Sequence, residues 1–342
     1  MAGIMVKPLH PRDKDRPAFF VFTRLFLITI LTLLPIVYTY YSLAGFLLKP
    51  IAITAALSIF LGIPFFIGAW SVFLFDINSD KSAKFYFWFP LLCLTNVIII
   101  GSFILREGVL CVVMLTPLWG ICAVIGAFTV RHWRKLFKER SKLSCSVVVL
   151  LPFLTLFFDA FFPLSTQQRQ VSRNIVINAP IASVWPKLLQ VENIEKAEGR
   201  WNFTQDVLGL PRPKAALFEG HKVGAVRTSH WEEEIIFEEH ITRQTPPHAL
   251  EWNFVFPNDS LQMRTDKHIS PDGNVLKIKN GGYQLTPLNE DQTRLTLYTD
   301  YQITVPLSSY SALWGEIILG DIQTNILNVI KTRAETGRLS PP

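Results

Sequence analysis

The sequence predicts an α-helical membrane bundle of about five spans, followed by one α+β domain built from a curved antiparallel sheet and a long C-terminal helix. Three patterns predict it. Long charge-free apolar runs fill the chain up to Leu164 and are absent after it, period-two alternation dominates from Val171 to Val305, and an apolar helical period takes over from Leu313 to Ile330. Residues 1–164 are therefore read as transmembrane and residues 165–342 as a single water-soluble domain.

Runs between consecutive charges (Arg24 to Lys49, Lys49 to Asp76, Lys84 to Arg106, Glu107 to Arg131, Lys142 to Asp159) place spans near 25–48, 50–75, 85–105, 108–130 and 143–164. Each of the first four encloses the roughly 20 apolar residues that a spanning helix needs. The fifth reaches Leu164 only if Asp159 lies at the interface, where its carboxylate meets headgroups or water instead of hydrocarbon. Pro35, Pro64, Pro90, Pro117 and Pro152 predict kinks, which neighbouring helices make tolerable in a bilayer. No span carries a central charge, so an anchor or interaction bundle is favoured over a transport pathway.

The chain has 33 Lys and Arg against 27 Asp and Glu, and the excess is confined to the first part: 15 basic and 7 acidic residues precede Ser165. A nucleic-acid binder needs its positive charge clustered on a soluble surface, so no nucleic acid is expected as a partner. With the N-terminus inside, thirteen Lys and Arg fall on the cytoplasmic side and four on the other. The positive-inside rule then places the C-terminal domain outside the cytoplasm of a multi-pass integral membrane protein; in a Gram-negative cell the membrane would be the inner one. A signal peptide cleaved near Ser42-Leu43-Ala44 is the competing reading of the first run, and it leaves the later loops on the same sides. Cys93, Cys111, Cys122 and Cys145 all lie in apolar runs, which gives neither a disulfide framework nor a zinc cluster; no metal and no cofactor is expected.

In the second part, Gln167 to Arg173 is a short polar connector that keeps the domain near the lipid surface. VSRNIVINAP alternates as a strand, after which Asn178 is positioned to cap a helix that carries Val184, Leu188 and Leu189 and is shortened or bent by Pro186. Gly209, Pro211 and Pro213 mark a loop. Strands are predicted at 223–231, 234–243, 250–256, 264–269, 275–279, 283–288 and 294–305, separated by turn signals that include Pro246-Pro247, Pro271-Asp272-Gly273 and Gly281-Gly282. The closing helix contains Gly315 and Gly320, which weaken it but permit close approach to another element.

These residues carry a resemblance. NIVINAPIASVWPKLLQVENIEKAEGRW is similar to the opening of the START-like, polyketide-cyclase (SRPBCC) type of helix-grip domain, whose first strand ends in Ala-Pro followed by Val-Trp; GHKVGAVRTSHW and IIFEEHITRQTPPHALEW resemble its following hairpin. The similarity runs from about Val171 to Glu335. It implies a cavity between sheet and helix, and no shared catalytic residue, because members of this superfamily bind lipids, sterols, polyketides and hormones, while others catalyse cyclisation or act in assembly.

Four strand faces look toward such a cavity: Ile235, Phe237, Glu239 and Ile241; Leu250, Trp252, Phe254 and Phe256; Tyr283 and Leu285; Leu295, Leu297, Tyr301, Ile303 and Val305. The candidate ligand-lining residues are Arg227, Trp231, Phe237, Glu239, Trp252, Phe254, Tyr283 and Tyr301. Glu239, a lone carboxylate on an apolar face, either pairs with a base such as Arg227 or has a raised pKa suited to acid–base work, and pairing is the favoured reading. His230 and His240 are weaker acid–base candidates, since each merely shares a strand face with a glutamate. Three functions compete: a membrane-tethered module binding a hydrophobic small molecule or lipid, an assembly protein with a filled core and a protein partner, and a cyclase- or hydrolase-type enzyme using the same cavity.

Overall fold

The computed structural model describes residues 18–47, 57–76, 80–105, 109–136, 154, 159, 164, 166–220, 223–265 and 270–337. It divides into two compact units, Met1–Arg106 with Leu115–Phe162, and Glu107–Met114 with Pro163–Pro342.

The first unit is helical: α1 (Ala18–Leu47), α2 (Ile63–Phe75) entered through a π-helical turn at Ser58–Gly62, α3 (Ala83–Leu105) and α4 (Val109–Leu136). Three helical stretches, Ser58–Phe75, Ala83–Ser102 and Leu110–Leu136, are long and apolar enough to cross a membrane; within α1 the apolar stretch Phe26–Thr39 is shorter. The predicted fifth span, 143–164, falls almost wholly outside the described residues. Pro35, Pro90 and Pro117 lie inside helices, as tolerated where neighbours resatisfy the backbone. Leu33, Phe66, Ile67, Phe89, Cys93 and Ala123 form a shared core, and α2 and α4 cross at glycine: a Cβ on Gly68 would lie 1.8 Å from the Ala123 carbonyl oxygen. Small residues let apolar helices approach where no hydrophobic force separates lipid from protein.

Both ends of α2 and its entering turn are capped by charges from elsewhere in the chain. Asp159 accepts hydrogen bonds from the Leu57 and Ser58 N–H groups at 2.7 and 3.0 Å, and Arg134 donates to the Phe73 carbonyl at 2.7 Å and to that of Asp76. An anion at the helix N-terminus and a cation at its C-terminus both oppose the macrodipole.

The second unit contains a seven-stranded antiparallel sheet in the order β1-β7-β6-β5-β4-β3-β2: β1 (Thr166–Ile177), β2 (Pro213–Glu219), β3 (Val226–Trp231), β4 (Ile236–Thr245), β5 (Ala249–Val255), β6 (Leu276–Asn289) and β7 (Gln292–Thr304). Two short helices, α5 (Ile181–Leu189) and α6 (Phe203–Asp206), precede β2; α7 (Ser260–Thr265) follows β5; α8 (Ser308–Glu335) closes the domain along β1 and β7. A long C-terminal helix held by a meandering antiparallel sheet is the helix-grip arrangement implied by the resemblance. Its core joins Ile177, Val184, Leu188, Leu250, Leu285 and Leu295 to Leu327 and Ile330 of α8.

Five local expectations change. Gln167 to Arg173, read as a connector, is the first part of β1 and pairs with β7 from Ile303 to Leu297. Gly281-Gly282 is no turn: β6 runs through it as one strand with a bulge between Ile278 and Asn280, because a Cβ at 281 would lie 3.1 Å from the Phe254 ring and one at 282 would lie 2.8 Å from the Tyr298 hydroxyl. The glycines make room for rings, so the backbone stays extended. Asn178 does not cap α5, which starts after Pro180; its N–H donates to Glu335 at 2.7 Å and its carbonyl side-chain oxygen accepts from Gln292 at 2.9 Å. Pro213, read as loop, begins β2, an edge strand where a missing N–H costs no ladder bond. Arg264 and Thr265, predicted to open a strand, end α7, and 266–269 fall outside the described residues.

Candidate functional site

Strand alternation sets the site. Arg227, Ser229 and Trp231 share one face of β3; Phe237, Glu239 and Ile241 continue it on β4, with Ile235 just before that strand, and Trp252 and Phe254 on β5. Arg227 lies directly opposite Glu239 in the β3–β4 register. They form a buried ion pair, with Arg227 2% and Glu239 6% exposed. Ser229 donates its hydroxyl to the other Glu239 oxygen at 3.2 Å, and Arg227 also donates to the Leu188 carbonyl at 2.6 Å. The guanidinium stacks over Trp252 at 4.7 Å from the ring centroid and lies 5.6 Å from that of Tyr283.

Burial pushes the Glu239 carboxyl up from its ordinary value, while Arg227 pulls it back down; burial likewise opposes the charge on Arg227, but Glu239 and Tyr283 push its pKa up. A neutral Glu239 would leave the guanidinium as a lone buried cation, so we assign the ionised pair at neutral pH. Burial also drives the Tyr283 hydroxyl up to about 12, with Arg227 opposing the shift, so this phenol stays protonated.

Around this pair the face is aromatic. Trp252 lies 5.3 Å from Tyr283 and 5.9 Å from Phe254 between ring centroids, and Phe237 lies 5.7 Å from Trp231 and 5.9 Å from both Phe254 and Phe256. Within it the Trp252 indole nitrogen is buried, its residue being 2% exposed, and has no hydrogen-bond partner among the described residues. A buried indole N–H normally finds an acceptor.

Seven of the eight predicted lining residues, Arg227, Trp231, Phe237, Glu239, Trp252, Phe254 and Tyr283, thus come together. Tyr301, 2% exposed, lies apart near the start of α8, where a Cβ on Gly315 would approach its hydroxyl to 2.5 Å. His230 and His240 take the opposite strand face, His240 bonding Glu238 at 2.7 Å, so they do not converge with Glu239. Ser229 was missed, though its spacing of two from Arg227 and from Trp231 places it on their face.

Chemically, the face offers aromatic rings and two neutral donors, the Trp252 indole and the protonated Tyr283 phenol. As a nucleophile or base it is poorly equipped, since the carboxylate is already engaged by a guanidinium and a hydroxyl. No protein-family model matches the sequence, and no curated protein matches it. Among solved structures, the chain is similar to the Zhui aromatase/cyclase from Streptomyces sp. R1128, with 14% identity and a TM-score of 0.32 over 49% of this chain and 94% of that one. It is also similar to norcoclaurine synthase from Thalictrum flavum in complex with dopamine and hydroxybenzaldehyde (12%, 0.33, 52% and 91%) and to protein Ms6760 from Mycobacterium smegmatis (14%, 0.30, 50% and 96%).

Proposed function

We propose that this chain is a membrane-tethered START-like protein that binds a hydrophobic small molecule or lipid between the sheet and α8. The observation that carries the reading is the unpartnered Trp252 indole N–H, buried within an aromatic face beside a fully engaged Arg227–Glu239 pair. An apolar pocket with few fixed polar groups is the usual small-ligand site, and an acceptor oxygen on an otherwise apolar ligand satisfies this donor. The apolar helices of the first unit, which precede the domain in the chain, support the tether.

The test is mass spectrometry of organic extracts from the full chain purified in mild detergent. A stoichiometric apolar species bearing an oxygen acceptor is expected, and it should be depleted in Trp252→Phe, which keeps the ring and removes the donor. A folded protein that repeatedly yields no such species sinks the reading in favour of a filled-core assembly domain.

A further inference from the structure

Helix ends of the first unit meet around two arginines. α2 stops at Phe75, α3 starts at Ala83, and the last turns of α4 carry Arg131 and Arg134, three residues apart and so neighbours on one helix face. The two are employed differently. Arg134 donates to the carbonyls of Phe73 and Asp76 and so closes the end of α2. Arg131 lies over the ring of buried Tyr86, 4.6 Å from its centroid, and makes no hydrogen bond among the described residues. Its Nε is enclosed without an acceptor, whereas its terminal amino groups are open.

Among the described residues no carboxylate pairs with this cation. Buried Asp76 accepts from the Tyr86 hydroxyl and from the Asp80 and Lys81 N–H groups at 3.2 and 3.3 Å, so its oxygens are taken. Asp80 stands exposed just before α3. Lys135, one turn beyond Arg131 on the same face of α4, is exposed, as is Lys81, so this end keeps a net positive charge. Exposed rings mark its level: Phe87 and Trp88 near the start of α3, and Trp133 on α4. Tryptophan in particular gathers where hydrocarbon gives way to headgroups.

We propose that Arg131, seated on Tyr86 and joined by Lys135, binds a phosphate group, carried by the headgroup of an anionic phospholipid or by a free phosphate. The planar guanidinium presents its donors as a fork that matches two phosphate oxygens, and the ring beneath it fixes the plane of that fork before the anion arrives. A cation with one nitrogen shut away from water gains more from an anion than a fully hydrated one does. Basic pockets between apolar helices suit phosphate headgroups. A trimethylammonium beside Lys81 and Lys135 is repelled, which selects an anionic lipid over phosphatidylcholine.

The inference rests on the first unit spanning a membrane and is independent of any ligand in the second, so the extraction from Trp252→Phe and a lipid titration fail separately. The full chain in a neutral detergent is titrated with phosphatidylglycerol, phosphatidylcholine and inorganic phosphate, and apparent affinities are read from the shift of the thermal unfolding midpoint. Phosphatidylglycerol should bind more tightly than phosphatidylcholine, and Arg131→Gln should weaken it about tenfold, the weight of a charged hydrogen bond. Arg131→Lys keeps the charge and loses the fork; it should bind a few-fold more weakly than the wild type, and it serves where the glutamine variant does not fold. Lys84→Gln is the charge-matched control. Lys84 is exposed and lies two residues before Tyr86, hence on the far side of α3, so its loss should weaken binding by less than about twofold. An Arg131-dependent shift with inorganic phosphate alone assigns the site to a soluble phosphate, and one that needs phosphatidylglycerol assigns it to the lipid. Equal losses in Arg131→Gln and Lys84→Gln, or wild-type affinity in Arg131→Lys and Arg131→Gln, overturn the proposal.

Discussion

Arg227 and Glu239 face each other across one rung of the β3–β4 ladder, and neither side chain reaches water. A buried pair gains little net stability over a well-packed apolar pair, but breaking it on one side strands a charge at a cost of about 3–5 kcal/mol. Glu239→Gln should therefore destabilise the domain by about that amount. The double change Arg227→Met with Glu239→Leu should recover most of it, less what Arg227 contributes through the Leu188 carbonyl and the Trp252 ring. Resistance of the full chain to proteolysis across a temperature series measures both. A double variant no more stable than the single one would show that the pair acts mainly through those other contacts.

Gly315 and Gly320 are both crowded, yet their substitution should have opposite outcomes. A Cβ at 315 meets the hydroxyl of buried Tyr301 at 2.5 Å, whereas one at 320 meets the Arg173 guanidinium at 2.2 Å, and the Arg173 side chain is 32% exposed. Tyr301 has nowhere to go; Arg173 can swing out, giving up a surface pair with Glu316 and exposed bonds to the Ser172 and Glu316 carbonyls that water can replace. Helix propensity favours alanine by up to about 1 kcal/mol, and overpacking costs about 1–3 kcal/mol. Gly320→Ala should be neutral or mildly stabilising and Gly315→Ala destabilising, with Tyr301→Phe restoring the latter. Thermal unfolding midpoints of the three variants decide it; failure of the rescue removes Tyr301 as the cause.

Much of this was legible in the sequence, for reasons that differ by feature. Period two placed Ile235, Phe237, Glu239 and Ile241 on one buried face, because burial on one side of a sheet fixes alternation. The same rule marked Glu239 as needing a partner, which Arg227 supplies. Gly281-Gly282 misled because a glycine pair signals a turn locally, while its actual cause, the rings of Phe254 and Tyr298, comes from other strands. The orphaned Trp252 nitrogen could not be seen at all, since satisfaction depends on what surrounds it in three dimensions.

The Tyr283 phenol should leave a signature at alkaline pH. Its pKa is raised to about 12, chiefly by burial, against an ordinary value near 10.0 in an unfolded chain. A raised acid stabilises the fold fully below the unfolded value, and that contribution disappears as pH rises through the folded one. At about 1.4 kcal/mol per pKa unit the loss is on the order of 3 kcal/mol between about pH 10 and 12. Wild-type stability, followed by near-ultraviolet circular dichroism, should fall more steeply over that window than that of Tyr283→Phe. Parallel curves would mean that this hydroxyl reaches solvent.

Asp159 and Arg134 bear on sidedness, because they cap opposite ends of one helical stretch. From Ser58 to Phe75 the 18 residues rise about 27 Å, close to the thickness of a bilayer core. Lys81, whose N–H donates to Asp76 at 3.3 Å, belongs to the Arg134 side. The charge count of the sequence predicts that this side is cytoplasmic and that the domain lies on the other. A cysteine at exposed Gln190 in the domain should react with a membrane-impermeant maleimide in intact spheroplasts, while one at exposed Lys81 should react only after permeabilisation. Equal labelling of both before permeabilisation would place Lys81 and the domain on one side and overturn the topology that the charge count predicts.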